Sequence, residues 1–223
     1  MSDEVEKLAE LINDTNLKTK VLSILRDPKI SINAPALTLT ESPGGSYQHH
    51  AYKGGLLQHT VSVTRLAITL CELVEEVYDG EVDRDAVIAS SLLHDIYKTY
   101  TYEEKKDGTY TSSSLGDKID HLNLLVAELY KQGFSEDIIH IAAAHHGESS
   151  PIQPKTLEAL IVSQADLCDA EFSRKTLRAA EYLLRQVGNS YPRITSSGEA
   201  LKIIKIKKQE GWEGLKQFTS RKE

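Results

Sequence analysis

The run AVIASSLLHD, residues 86–95, decides how this chain is read. Eight uncharged residues, Ala86 to Leu93, describe a buried helix, and the run then ends on two polar groups, His94 and Asp95. Working outward, similar apolar periodicity recurs on both sides. Residues 55–78 place Leu56, Leu57, Val61, Val63, Leu66, Ala67, Leu70, Leu73 and Val74 on more than one helical face, which predicts a central helix closed by Asp79–Gly80. Residues 3–26 read as helix with a break near Asn13–Asn16, ended by Pro28. Further helices are expected at about 118–132, 136–146, 155–171 and 174–187, with Gly133 and Gly147 as stops, and one or two more over 197–218, separated near Gly211 and Gly214.

Two segments break this pattern. Residues 28–54 hold Pro28, Pro35, Pro43, Gly44, Gly45 and Gly54 without a sustained period, a length of irregular chain that is more often functional than idle. TYTYEEKKDGTYTS alternates Thr and Tyr around Asp107–Gly108, a hairpin signal over 99–111. The fold expected is all-α, a helical bundle with one small β-hairpin insertion. We read it as a single domain over 1–223, with a core at 54–172, an N-terminal helical extension at 1–27 and C-terminal helices over 173–223.

Bulk properties bound the function. The 223 residues suffice for a sizeable core, and 40% hydrophobic with 26% charged residues is ordinary soluble usage. A net charge of −7 argues against a protein that lives by phosphate-backbone contacts, so no stable nucleic-acid complex is expected. The basic run KIIKIKKQ near the C-terminus reads first as a solvated helix face, and second as a surface for a phosphate-rich ligand or a partner. Cys71 and Cys168 belong to no C-x-x-C pair and read as buried thiols in a reducing compartment. The acidic start MSDEVEKLAE is not a signal peptide, and no stretch nears the ~18 apolar residues of a membrane span. The expected location is the cytoplasm, with no membrane partner; oligomeric state is left open.

Burying an ionised Asp95 without a partner costs several kcal/mol. On the dipeptide alone two solutions are equal: a divalent cation shared with a neutral His94, or a helix cap plus a backbone amide. Asp166 repeats the problem inside LEALIVSQADLCDAEF, with Asp169 one turn later. His59 lies just inside the helix of 55–78, His121 near the start of its own, and His145–His146 at the end of IIHIAAAHHG. A lone His is more often a core or surface residue than a ligand. Several helices each presenting His or Asp at a buried position change that balance. Imidazole and carboxylate without thiolate suit Mn, Fe, Co, Ni, Zn or Mg in open coordination, not structural zinc.

The order His59, His94–Asp95, Asp166 resembles the H…HD…D signature of the HD-domain metal-dependent phosphohydrolases. The phrases HHAYKGGLLQHTVSV (49–63), SSLLHDIYK (90–98), AAAHHG (142–147) and TLEALIVSQADLCDAEF (156–172) are similar to the HD domain of bacterial 3′-to-5′ exoribonucleases that carry it behind an OB-fold. The resemblance covers about half the chain. It implies that His59, His94, Asp95 and Asp166 hold one divalent ion. It further implies that His121, His145 and His146 belong to a second, with Asp95 bridging. Lys98 matches a Lys that contacts substrate phosphate in relatives. The pattern departs at Tyr97, where the family usually has Gly. The 53 residues before Gly54 are too few, and too helical at their start, for an OB-fold.

The function expected is hydrolysis of a phosphate ester of a nucleotide or short nucleic acid by metal-activated water, with Asp95, Lys98 and Asp169 as catalytic residues. The acidic surface favours a small-molecule substrate. The 28–54 loop and the hairpin are expected to wall the pocket, with Tyr52, Lys53, Tyr97, Lys98 and Tyr100 touching substrate. His49 and His50 are expected to brace the site first and to touch substrate second; His140 receives no role. The alternatives are a nucleotide- or metal-binding regulatory HD protein with little turnover, or a helical interaction protein with satisfied polar core groups.

Overall fold

The computed structural model describes residues 3–47, 49–188 and 193–220; parts of the expected 1–27 and 173–223 segments lie outside them. Helices α1 (Asp3–Ala9) and α2 (Thr15–Arg26) are separate, because the Asp14 side chain accepts from the Asn16 and Leu17 amides and starts α2 anew. Helix α3 (Gly55–Tyr78) follows the irregular loop and ends at Asp79 in the left-handed region, φ 51°. A Cβ on Gly55 would sit 2.0 Å from the His50 carbonyl oxygen, so only glycine lets the loop pass that close.

Helix α4 (Arg84–Leu93) is capped by Asp83 and buried from Ala86 through Leu93. Lys98–Thr101 form a single turn, α5, so the hairpin starts three residues later than expected: β1 (Tyr102–Glu104) pairs antiparallel with β2 (Tyr110–Ser112), Tyr102 opposite Ser112. Helices α6 (His121–Lys131) and α7 (Glu136–Ala143) start on Asp120 and Ser135 caps, and a 3-10 turn, Gly147–Ser149, follows.

The helix boundaries near the C-terminus are also corrected. The helices expected at 155–171 and 174–187 are a single helix, α8 (Leu157–Gln186). No Gly or Pro interrupts it, and Ser173 at the expected break is buried, its Oγ accepting from the His50 amide at 3.0 Å. Helix α9 (Ser197–Ser220) kinks at Gly211, φ 70°. Its basic run carries Lys207 over the Trp212 ring at 4.3 Å.

Helix α4 is the hub, packed against α1, α2, α3, α7 and α8. The main apolar core gathers around it. A smaller core joins the C-terminal half of α8 to α9 and includes Tyr52. Cys71 is buried in the main core, but Cys168 is exposed on α8, contrary to expectation. It stands beside exposed Leu167 on an outer face whose apolar residues the sequence pattern assigned to the interior.

Candidate metal centre

Helices α3 and α8 and the turn that follows α4 present His59, Asp166 and the pair His94–Asp95 to one buried point. His59 and Asp95 are 0% and 1% exposed, which leaves no room for solvent to satisfy them. His59 Nδ1 donates to Asp169 Oδ2 at 2.6 Å, and His94 Nδ1 donates to the Ser91 carbonyl at 2.7 Å. Both rings therefore turn Nε2 inward, 3.2 Å apart. His59 Nε2 also lies 3.1 Å from Asp166 Oδ1 and 3.2 Å from Asp95 Oδ2.

Asp95 faces a second group with its other oxygen. His121 Nε2 lies 3.1 Å and His145 Nε2 3.6 Å from Asp95 Oδ1. His145 Nδ1 donates to the Ala142 carbonyl at 2.7 Å, so this ring too points Nε2 inward. Asp95 Oδ1, His121 Nε2 and His145 Nε2 are buried and make no hydrogen bond. Buried polar atoms without partners are rare and costly. Here three of them converge with His146 on one place, where a cation would satisfy them all.

Electrostatics point the same way. Burial opposes charge on His59, but the Asp166, Asp169 and Asp95 carboxylates outweigh it and hold the imidazole well above its usual range. Burial likewise pushes the Asp95 carboxyl up, yet the Lys98 ammonium and His94 pull it well below. The centre demands positive charge, and a divalent ion supplies more of it than a proton does. The His/Asp groups can hold divalent metal. Lys98 is itself buried, its Nζ donating to the Gly44 carbonyl at 2.9 Å and to Asp95 Oδ2 at 2.5 Å.

The centre opens on a cleft of about 250 Å³, lined by Lys98, His145, His146 and Asp166 together with His49, Ser149 and Arg174. Burial lowers His49 and His146 to about 3, so both rings are neutral. His49, which was expected to act as a brace first, faces this cleft. Arg174 and Ser149 were not singled out by sequence. Arg174 lies two turns beyond Asp166 on α8, a spacing that brings it to the same side only if α8 continues past Phe172.

Several expected residues are elsewhere. Tyr97 is fully buried in the main core and Tyr100 packs on that core. Tyr52 is buried in the smaller core, and Lys53 is exposed away from the cleft lining. Asp169 does not line the cleft; its Oδ2 holds both His59 and His50. The hairpin does not wall the cleft either. It braces the loop, with the Tyr110 hydroxyl donating to the Glu41 carbonyl at 2.9 Å. The second wall is α8. His140 Nε2 accepts from the Lys155 amide at 3.0 Å.

Helices that converge a closed set of imidazoles and carboxylates on one open cleft mark a metal-dependent phosphohydrolase. The chain belongs to the HD domain family, whose model matches residues 56–171. Among its relatives is the dihydroneopterin 2′,3′-cyclic phosphate phosphodiesterase of Methanocaldococcus jannaschii, 41% identical over 208 residues, covering 92% of this chain and 83% of the relative. The 3′-5′ exoribonuclease YhaM of Listeria monocytogenes is 28% identical over 184 residues, 78% of this chain and 54% of the relative. YhaM of Bacillus velezensis is 27% identical over 176 residues, 74% and 54%. The chain thus spans about half the length of these exoribonucleases. No solved structure matches it.

Proposed function

We propose that this protein opens a small 2′,3′-cyclic phosphodiester, the class named for its archaeal relative. The observation that carries the reading is Asp95, whose two oxygens serve two sets of histidines at the floor of a cleft sized for a small molecule. His59, His94, Asp95 and Asp166 would hold one divalent ion, and Asp95, His121, His145 and His146 a second. Bound ions of the Mn, Fe, Co, Ni, Zn or Mg type lower the pKa of a bound water and offset phosphoryl charge.

The chain's own groups do the rest. Lys98 uses two of its three donors on Gly44 and Asp95, which leaves one for a phosphoryl oxygen in the cleft. His49 and His146 offer neutral imidazoles as hydrogen-bond partners. Arg174 and Ser149, which also line the cleft, would hold the part of the substrate beyond the phosphate. Hydrolysis adds water across one P–O bond: phosphorus gains a hydroxyl, the ring oxygen leaves with a proton, and a monoester results. Free thiols at Cys71 and Cys168 suit a reducing cytoplasm.

The test is a substrate panel with Mn²⁺: 2′,3′-cyclic AMP and GMP, dihydroneopterin 2′,3′-cyclic phosphate, a linear dinucleotide and p-nitrophenyl phosphate. Cyclic diesters should be preferred by at least ~10-fold in kcat/KM, about 1.4 kcal/mol of transition-state binding. Monoester hydrolysis with the cyclic diesters left intact overturns the reading. Ribonucleotide release from short RNA would instead favour the exonuclease relatives.

A further inference from the structure

Behind the centre runs a buried hydrogen-bond chain that the cleft does not reach. Asp169 Oδ2 accepts from His59 Nδ1 at 2.6 Å and from His50 Nε2 at 2.7 Å. His50 Nδ1 lies 2.8 Å from the Tyr52 hydroxyl, which donates to Gln58 Oε1 at 2.6 Å and lies 2.6 Å from Ser197 Oγ at the start of α9. His50, Tyr52, His59 and Asp169 are all buried.

The backbone is bent to place His50 there. Its φ is 44°, in the left-handed region that a residue with a Cβ rarely adopts. Three contacts hold it. The His50 amide donates to Ser173 Oγ at 3.0 Å, and its carbonyl accepts from the Gly44 and Tyr52 amides at 2.9 Å each. Gly55 is the residue whose missing side chain leaves room for that carbonyl. Strain maintained by surrounding contacts marks a place where geometry matters.

We propose that Asp169, His50 and Tyr52 are positioning residues that hold His59 with its proton on Nδ1 and its Nε2 turned to the metal. Asp169 alone would be free to rotate about its own side-chain bonds; His50 pins the oxygen that His59 needs, and Tyr52 pins His50. Through Ser197 the chain ties α9, which lies outside the matched 56–171 segment, to the first ligand. The inference rests on His59 as a metal ligand.

Zinc affinity, measured by competition with a chromophoric chelator, tests it on the full chain. Asp169→Asn should weaken binding about 10–100-fold, the usual loss when a ligand's hydrogen-bonded partner is changed. His50→Leu and Tyr52→Phe should weaken it less, and His50→Gln, which keeps a donor for Asp169, should restore most of the loss. In the zinc-loaded wild type, ¹⁵N-edited NMR should show an exchange-protected, downfield Nδ1–H resonance for His59. That resonance should move upfield or exchange out in Tyr52→Phe, a change that leaves the fold's packing intact. Equal zinc affinity and an unmoved resonance in His50→Leu and Tyr52→Phe overturn the relay while the metal reading stands. A wild type that binds no zinc overturns both.

Discussion

His59 and His94 face each other Nε2 to Nε2 at 3.2 Å, and each ring's other nitrogen is already committed as a donor. Without positive charge between them, two lone pairs would oppose one another beside ionised Asp95 and Asp166. Metal should therefore stabilise the fold directly. At 100 times its dissociation constant an ion adds about 2.7 kcal/mol. For a chain of this size that raises Tm by roughly 5–10 °C. Thermal melts with Mn²⁺ and with EDTA check this, and Asp95→Asn should abolish the difference. Superimposable wild-type curves would remove the centre.

Lys98 stabilises Asp95 when no ion does. In metal-free protein, Lys98→Met leaves the buried carboxylate without its ammonium partner and should cost about 3 kcal/mol in urea unfolding. The loss should shrink once metal is added, because the ion takes over the same charge. An equal loss in both states would mean that Lys98 matters only for packing.

Arg174 reaches the cleft from α8 while pairing with Glu171. Arg174→Ala should raise KM about 10-fold on a cyclic diester, the cost of one charged hydrogen bond, and leave kcat within about 2-fold. Steady-state kinetics decide. A fall in kcat at constant KM would place Arg174 at the reacting phosphate instead.

Gly55→Ala drives a Cβ to within 2.0 Å of the His50 carbonyl oxygen, and backbone has to move. The expected cost is about 3 kcal/mol, at the upper end for overpacking. Gly108→Ala is the control: its φ is 74°, yet nothing lies within 4 Å. It should cost about 1 kcal/mol from backbone strain alone. Chemical denaturation of the two variants checks the contrast.

The two cysteines should differ in reactivity. Burial pushes the Cys71 thiol up to about 11, while Cys168 is exposed. At pH 8 a group with that pKa is only ~0.1% thiolate, and it is also sheltered, so iodoacetamide should label Cys168 alone until the protein unfolds. Mass spectrometry of the folded protein reads the outcome; rapid double labelling would contradict the burial of Cys71.

Much of the bundle was legible because its signals are local. Asp79–Gly80 closes α3, Gly133 follows α6, and apolar periodicity locates α3 and α4, since each depends on contacts a few residues away. Two errors share one cause: periodicity shows how apolar a face is but not what covers it. It led to a break being expected in α8 near Ser173 and to burial being expected for Cys168. Tyr97 was misplaced similarly: it follows Asp95 by two residues in the turn after α4, and nearness in sequence says nothing of direction, so its ring enters the main core instead.

By itself, then, the sequence put carboxylates at 95 and 166 in or at the end of apolar runs, where burial needs a partner, and left a cation and a helix cap equal for Asp95; the resemblance to the HD-domain phosphohydrolases is what implied a ligand set with imidazoles at 59, 94, 121, 145 and 146. Residue type and spacing carry the first of these. Only the tertiary structure decided what surrounds them: that Asp169 turns away from the cleft to hold His59, that His50 is bent to meet it, and that Arg174 rather than a tyrosine reaches the opening. Those outcomes depend on contacts between residues more than a hundred positions apart, and no local pattern encodes which of several polar neighbours a buried hydrogen bond will select.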